Sequence, residues 1–147
     1  MTRAELVSFM QQQRWAVQAS RSADGTPQAA VIGVAIAAEP ALELYFDTLS
    51  STRKHVNLVA DPRIALVIGW DDGQTVQLEG RCDQPSGADL ERLLGHYLAR
   101  FPDGLERKAW SGIAYWRVRP HWLRYSDFRG ASPRIIELDA ATLAALT

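Results

Sequence analysis

Short apolar segments bounded by turn residues recur along most of the chain and predict β-strands. Residues 15–20 alternate large apolar with small or polar side chains, the period expected of a strand with one buried face. Residues 29–37 form a longer run of small and β-branched side chains, which predicts a strand buried on both faces. The remaining predicted strands cover residues 42–46, 64–70, 75–81 and 114–125, and residues 134–138 are a candidate for one further short strand.

Turn signals separate several of these segments. Asp24-Gly25 and Asp72-Gly73 each lie between two predicted strands, where Asp-Gly dipeptides favour tight hairpin turns. Pro120 interrupts the segment 114–125 and predicts an edge position or a β-bulge, because proline cannot donate a ladder hydrogen bond. Consecutive strands joined by hairpins favour an antiparallel sheet.

Two short helices are predicted from their first residues. Thr2 and Glu5 have the spacing of a capping box at the start of an amphipathic helix. A cluster of hydroxyl side chains precedes residues 53–60, which we expect to form a second short helix.

The clearest helical signal covers residues 86–101. Ser86 and Asp89 have capping-box spacing at its start. Its apolar stripe, which predicts core packing, consists of Leu90, Leu93, Leu94, Tyr97, Leu98 and Phe101.

These elements predict a mainly β domain, a six-stranded antiparallel barrel with the helices at its periphery. The helices do not alternate regularly with the strands, which argues against a doubly wound parallel sheet. The chain has 147 residues, 47% of them hydrophobic and 22% charged, which is the balance of a single globular domain spanning residues 1–147. No internal repeat or low-complexity linker divides it.

Charge, cysteine and histidine content limit the classes of function. The formal net charge of −1 gives no global reason to expect binding to nucleic acid or to a membrane surface. The single cysteine, Cys82, cannot form an internal disulfide, and its strand-like surroundings predict a buried thiol. His55, His96 and His121 lack metal-ligand spacing, so no metal site is expected. No apolar run reaches the ~20 residues needed to span a bilayer, and we expect a soluble cytoplasmic protein.

Candidate chemistry is concentrated where the second helix begins. The sequence there is Ser50-Ser51-Thr52-Arg53-Lys54. Its two cations lie at the positive end of the helix dipole, which is unfavourable unless an anion binds there. Backbone N–H groups, hydroxyls, a guanidinium and an ammonium would then converge on one phosphate. The alternative is a capped surface helix whose cations are solvated.

The order of motifs around this segment resembles the pyridoxamine 5′-phosphate oxidase-like, FMN-binding split-barrel family, from about residue 15 to about residue 122. In chain order, the motifs are Gly25-Thr26-Pro27 before a long strand, Tyr45-Phe46-Asp47-Thr48, Ser51-Thr52-Arg53-Lys54, Asn57-Leu58 with Asp61-Pro62-Arg63, and Val76-Gln77-Leu78-Glu79-Gly80. The resemblance implies an FMN-binding split barrel. It also implies a homodimer with one cofactor in each of two clefts at the subunit interface.

Cofactor contacts follow from the same resemblance. Those implied for the FMN phosphate are Thr52, Arg53 and Lys54. Thr48, at the end of the preceding strand, and Ser51, beside Thr52, are also expected near the cofactor. Those implied for the flavin ring, largely through main chain, are Ala29, Ala30, Val31 and Ile32. Small side chains suit close approach of a flat ring, although ordinary barrel packing explains these alanines equally well.

A second set of contacts is implied from the partner subunit. One of Gln74, Thr75 and Gln77 is expected to reach the ring, and Thr75 and Gln77 share a face that would otherwise be solvent-exposed. Trp122 and Arg124 are also expected near the flavin of the other subunit. The alternatives are interface packing for Trp122 and a solvated edge charge for Arg124.

The chain departs from true pyridoxamine phosphate oxidases at the substrate site. Ala30 and Ala35 stand where those enzymes carry an arginine and a lysine, and their C-terminal Arg-Leu-His-Asp-Arg signature is absent. A substrate phosphate would lack its main charge-assisted partners. We therefore expect an FMN-dependent oxidoreductase with an unassigned substrate and no identifiable catalytic side chain. The alternatives are a deazaflavin (F420) reductase on the same barrel and a flavin- or haem-binding carrier or sensor without turnover.

Overall fold

The computed structural model describes all 147 residues. Its strands are β1 (Trp15–Arg21), β2 (Pro27–Gly33), β3 (Ala35–Ala37), β4 (Glu43–Leu49), β5 (Arg63–Ile68), β6 (Gln74–Asp83), β7 (Ile113–Asp127) and β8 (Arg134–Asp139). Its helices are α1 (Arg3–Gln12), α2 (Arg53–Ala60), α3 (Gly87–Arg100), α4 (Gly104–Arg107) and α5 (Ala140–Ala145). Every strand pairing is antiparallel, as predicted.

The strands form one sheet that curls into a barrel. The strand order is β2-β1-β5-β6-β7-β4-β3, with β8 paired to β7. β2 and β3 lie at opposite ends of this order, yet only Val34 separates them along the chain. The sheet must therefore bend until its two edges meet, and the predicted antiparallel split barrel is confirmed.

Two predictions about the strands are wrong. The segment 29–37 is two strands, because the chain passes from one edge of the sheet to the other at Val34. The candidate strand at residues 134–138 also forms, as β8, so the sheet has eight strands instead of the six predicted. Within residues 29–37, only β3 is buried on both faces. The outward side chains of β2 are exposed, because no helix or strand of this chain covers that face.

The main core fills the barrel with 23 buried residues drawn from all eight strands, α1, α2 and α5. Cys82 belongs to this core, so the prediction of a buried thiol is confirmed. The capping box of α1 is also confirmed. The Thr2 hydroxyl accepts a hydrogen bond from the Glu5 N–H at 3.1 Å, and the Thr2 N–H donates to the Glu5 carboxylate at 2.7 Å.

A second, smaller core lies between α3 and the outer face of β3 and β4. It consists of Ala35, Ala37, Tyr45, Leu93, Leu94, Tyr97 and Phe101, so the predicted packing role of the α3 stripe is confirmed. The predicted capping box of α3 is wrong, because the Ser86 side chain makes no cap hydrogen bond. Asp89 instead accepts a hydrogen bond from Arg117 at 3.3 Å. None of the five helices is long and apolar enough to cross a membrane.

A β-bulge interrupts β7 beside Pro120, where the sequence predicted an edge position or a bulge. Pro120 and Trp122 both pair with β6, whereas His121 between them has no partner there. The extra residue reverses the alternation of side chains, because Trp116 points into the core before the bulge and Leu123 does so after it. Trp122 therefore lies on the outer face, opposite to the face of Trp116.

Candidate anion-binding site

A cleft of about 330 Å³ lies at one end of the barrel, between β1, β2 and the first turn of α2. Alternate residues of β1 point inward. Ala16 lies in the apolar core, whereas Gln18 and Ser20 bring polar groups to the end of the barrel. The residues that line the cleft are Gln18, Ser20, Gln28, Ala29, Ala30, Thr52, Arg53 and Lys54.

Side-chain hydrogen bonds fix α2 against this end of the barrel. The Gln28 amide oxygen accepts from Arg53 Nε at 3.1 Å and from Asn57 Nδ2 at 2.9 Å. Asn57, which is 6% exposed, also donates from Nδ2 to Ser20 Oγ at 3.1 Å. One buried amide thus joins β1, β2 and α2, and it determines where the first turn of the helix lies.

The cleft carries positive charge that no carboxylate compensates. None of its eight lining residues is acidic, and neither Arg53 nor Lys54 forms a salt bridge with an Asp or Glu. Burial lowers the pKa of the Lys54 ammonium, because the charged form is partly withdrawn from water. The N-terminal N–H groups of α2 add partial positive charge at the same place. The electrostatics of the cleft therefore favour an anion.

Gln18 lies at the floor of the cleft with an unsatisfied polar atom. Its side chain is 1% exposed, and its Oε1 has no hydrogen-bond partner. Buried polar groups are almost always hydrogen-bonded, so this orphaned amide at the floor of the cleft leaves one hydrogen bond open to a group that enters the cleft. A carboxamide can both donate and accept, which suits a ligand with hydroxyls as well as anionic oxygens.

The threonine hydroxyls of the motif hold the helix start. Thr52 is the N-cap residue of α2, and its Oγ1 accepts from the His55 N–H at 3.4 Å. The same hydroxyl donates to the Leu49 carbonyl at 2.9 Å and lies 2.9 Å from Thr48 Oγ1. Thr48 is buried and Ser51 is exposed, and neither lines the cleft. The Thr52 hydroxyl must turn away from the Leu49 carbonyl before it can donate to a ligand.

His55 stabilises the helix from behind the cleft. Its Nδ1 accepts a hydrogen bond from Trp116 Nε1 at 3.2 Å, and the two rings meet edge to face. Burial lowers the pKa of the His55 imidazole, which favours the neutral form that this hydrogen bond requires.

The four β2 residues implied for the flavin ring point in different directions. Ala29 and Ala30 line the cleft. Ile32 is 6% exposed and belongs to the barrel core, whereas Val31 is 60% exposed on the outer face. What these four residues share is therefore their backbone, which runs from the cleft along the edge of the sheet.

The residues implied for a partner's site lie on the outer face of the sheet. Residues that are paired directly across neighbouring strands form one row on this face, which consists of Val31, Val17, Val67, Gln77, Arg124 and Glu137. Thr75 and Gln77 share this face, as the alternation predicted, whereas Gln74 accepts a hydrogen bond from the Tyr125 hydroxyl at 2.7 Å. Trp122 Nε1 donates to Glu137 at 3.0 Å. Within one chain, Thr75, Gln77, Trp122 and Arg124 do not reach the cleft.

Sequence reasoning missed three polar residues of this site. Gln18 and Ser20 follow the inward parity of Ala16, so a polar residue at a core-facing position was the available signal. Gln28 gave no such signal, because its role depends on a contact with α2, 25 residues away along the chain.

The fold is thus an antiparallel split barrel with a basic cleft at the start of α2. A family model described as pyridoxamine 5′-phosphate oxidase matches residues 2–127. The chain belongs to this family, as its motif order predicted. No functionally curated protein matches it in sequence.

Several solved structures have the same fold. The heme binding protein from Mycobacterium smegmatis superposes with a TM-score of 0.83 at 18% identity, over 99% of this chain and 61% of that protein, so our chain spans less than two thirds of its length. The pyridoxamine 5′-phosphate oxidase-related, FMN binding protein from Nostoc punctiforme has a TM-score of 0.74 at 11% identity, with 92% and 87% coverage. The heme storage protein HutZ from Vibrio cholerae has a TM-score of 0.69 at 13% identity, with 80% and 88% coverage. Such low identities establish a shared fold alone.

Proposed function

We propose that the chain is an FMN-binding flavoprotein and an FMN-dependent oxidoreductase of unassigned substrate. The observation that carries this proposal is the cleft at the start of α2, where Arg53 and Lys54 meet the helix dipole without any acidic neighbour. A phosphate dianion is the group that such a cleft suits best. A similar solved structure is that of an FMN binding protein, which supports the choice of cofactor.

The polar floor of the cleft suits the rest of an FMN chain. The phosphate of FMN is attached to a ribityl chain that bears hydroxyl groups. The unpartnered Oε1 of Gln18 is an acceptor for such a hydroxyl, and Arg53 keeps its two terminal nitrogens free while its Nε holds Gln28. Ala29 and Ala30 leave room for a ligand beside the β2 backbone. These residues therefore fit a phosphate ester of a polyol better than they fit a bare anion.

We further propose that two chains pair through the outer face of β2, β1 and β5. The centre of that face carries only small and aliphatic side chains, namely Ala29, Val31, Val17, Ala19, Ala65 and Val67, whereas Trp15, Arg21 and Arg63 lie at its ends. None of them belongs to a core cluster of the single chain, and Val31 is 60% exposed. An uncovered apolar sheet face is typical of an isologous dimer interface.

Pairing in this way would give the outer-face polar residues a function. Gln77 and Arg124 continue the row of Val31, Val17 and Val67 across the sheet, and the Arg124 Nε is buried without a partner. A second chain packed on the row would bring these groups toward the β2 edge of its neighbour. They would then reach a ring that lies along the β2 backbone.

In this proposal, no side chain of the protein acts as a general acid or base. The flavin, when bound, supplies the electron-transfer chemistry. The residues of the chain hold the phosphate, place the ring along β2 and exclude water from one side of it. Ala30 and Ala35 stand in place of an arginine and a lysine, so the phosphate of pyridoxamine phosphate would lack two charge-assisted partners and the substrate of this chain is a different one.

A comparison of FMN with riboflavin tests the phosphate site directly. In the double variant Arg53→Met/Lys54→Met, loss of two charge-assisted contacts of ~1.5–3 kcal/mol each should weaken FMN binding by roughly 100-fold or more. Riboflavin, which lacks the phosphate, should be affected far less. The matched control is Arg81→Met/Lys108→Met, which removes the same two charges from exposed positions without a salt bridge. An unchanged preference for FMN over riboflavin in the first variant would eliminate the assignment.

The absorption spectrum of the purified protein separates the alternative cofactors. A two-band flavin spectrum supports the proposal, whereas a deazaflavin band or a Soret band identifies F420 or haem. For the dimer, sedimentation should give twice the 16.3 kDa monomer mass, and Val31→Asp should halve it. Val59→Asp, at a similarly exposed valine on α2, is the control. A wild-type protein that sediments at 16.3 kDa would overturn the shared-site arrangement.

A further inference from the structure

A second cleft, of about 580 Å³, lies on the other side of the β2–β3 junction, between α3, β3 and the last turn of α1. Its floor is the backbone and side chains of Val34, Ala35 and Ile36. Gln11 lies at the rim, where its Nε2 donates to the Ile36 carbonyl at 3.3 Å and fixes α1 against β3. None of the residues that line the phosphate cleft at α2 takes part in this one.

Nitrogen-bearing side chains from one face of α3 form the wall of this cleft. Arg92, His96 and Arg100 follow each other at intervals of four residues, so they lie one above another on the helix. The apolar stripe of α3 faces the sheet instead. None of the nine lining residues is acidic.

Both arginines present an unsatisfied nitrogen in this region. Arg92 Nη2 is paired with Glu43 at 3.0 Å, but its Nε is buried and has no partner. Arg100 forms no salt bridge, and its Nε is likewise buried without a partner. A guanidinium presents its donors in a rigid fork that matches the two oxygens of a carboxylate or a phosphate.

We propose that this second cleft binds the carboxylate or phosphate group of a small acidic molecule. Arg92 and Arg100 donate to the anion through guanidinium N–H groups that have no partner within the chain, and His96, which is exposed between them, donates from its ring. Glu43 holds the far side of the Arg92 guanidinium and so orients its Nε. The proposal does not depend on a flavin, because no group in the phosphate cleft contributes to it.

Nuclear magnetic resonance of the arginine Nε–H groups tests this site in the intact chain. Succinate and inorganic phosphate are titrated separately, and the Arg92 and Arg100 signals are assigned with single variants. We expect both signals to move with one common midpoint. Arg100→Met should raise the midpoint of the Arg92 signal at least ~10-fold, since one charge-assisted contact is lost. His96→Gln should raise it less, and Arg81→Met at an exposed position of β6 should leave it unchanged.

The two anions and the two clefts are distinguished by the same experiment. Movement with succinate alone assigns a carboxylate ligand, and movement with phosphate alone assigns a phosphate ligand. In the Arg53→Met/Lys54→Met variant the response must persist, because the second cleft is intact there. Signals that respond to neither anion, or that stop responding when Arg53 and Lys54 are replaced, would overturn the proposal. Failure of FMN binding with a preserved anion response would refute only the proposed flavin function.

Discussion

Replacement of Gln18 by leucine should change stability and ligand affinity in opposite directions. Gln18 is 1% exposed and its Oε1 is unpaired, so the folded cofactor-free protein carries a desolvated polar atom without compensation. Such an atom costs about 1–3 kcal/mol, and leucine of similar volume removes it. We therefore expect Gln18→Leu to raise the free energy of unfolding by about 1–3 kcal/mol. FMN affinity should fall by roughly 2–10-fold, the equivalent of one neutral hydrogen bond.

Urea unfolding of the cofactor-free protein, at one fixed protein concentration, measures the change in stability. FMN titration measures the change in ligand affinity. An unchanged m-value is required, because the midpoint then reports stability alone. The matched control is Gln12→Leu on the exposed side of α1, which should change stability by less than about 0.5 kcal/mol. A Gln18→Leu protein that is less stable than wild type, or that binds FMN as tightly, would refute the assignment of Gln18 to the ligand site.

Three further predictions concern the scaffold. Gly80→Ala should destabilise the protein by about 2 kcal/mol or more, because a Cβ there would lie 2.6 Å from the Arg119 carbonyl oxygen of the facing strand. A Cβ at Gly95 on α3 would meet nothing within 4 Å, so Gly95→Ala should stabilise the protein by about 0.5–1 kcal/mol. The midpoints of urea unfolding compare the two variants. The pKa of His55 is lowered in the fold, so the unfolded chain binds more protons and stability should fall as the pH drops below the ordinary histidine pKa of 6.5. His55→Asn keeps an acceptor for Trp116 and should weaken this dependence in unfolding experiments between about pH 5 and 8; an identical pH profile would contradict the linkage. Burial raises the pKa of the Cys82 thiol, so a thiol reagent at neutral pH should modify it only after unfolding, and rapid labelling of the native protein would contradict this.

Elements determined by near neighbours in the chain were predicted well. The capping box of α1, the hairpin turns and the apolar stripe of α3 each depend on residues within a few positions of one another. The capping box of α3 was predicted on the same grounds but is wrong. Asp89 bonds to Arg117, 28 residues away, and no local pattern reports that contact.

The candidate site likewise has one part that local sequence predicts and one part that depends on long-range contacts. Arg53 and Lys54 are adjacent in sequence at a helix start, so their positive charge and its position were predictable. The contact between Asn57 and Gln28 spans 29 residues and joins a helix to an edge strand. The β1–β2 hairpin brings Gln18 and Gln28 to the cleft, but only the tertiary structure packs Asn57 of α2 against them.

The sequence by itself determined which segments become strands, which positions of each strand can face a core, and where two cations would meet a helix dipole. These depend on the backbone period and on local charge, both of which the order of residues specifies. The tertiary structure decided that the sheet closes at Val34, that the bulge beside Pro120 turns Trp122 outward, and that the outer face of β2 stays uncovered. These depend on how far the whole sheet bends and on which distant strands pair, which is settled only when all eight strands pack around one core.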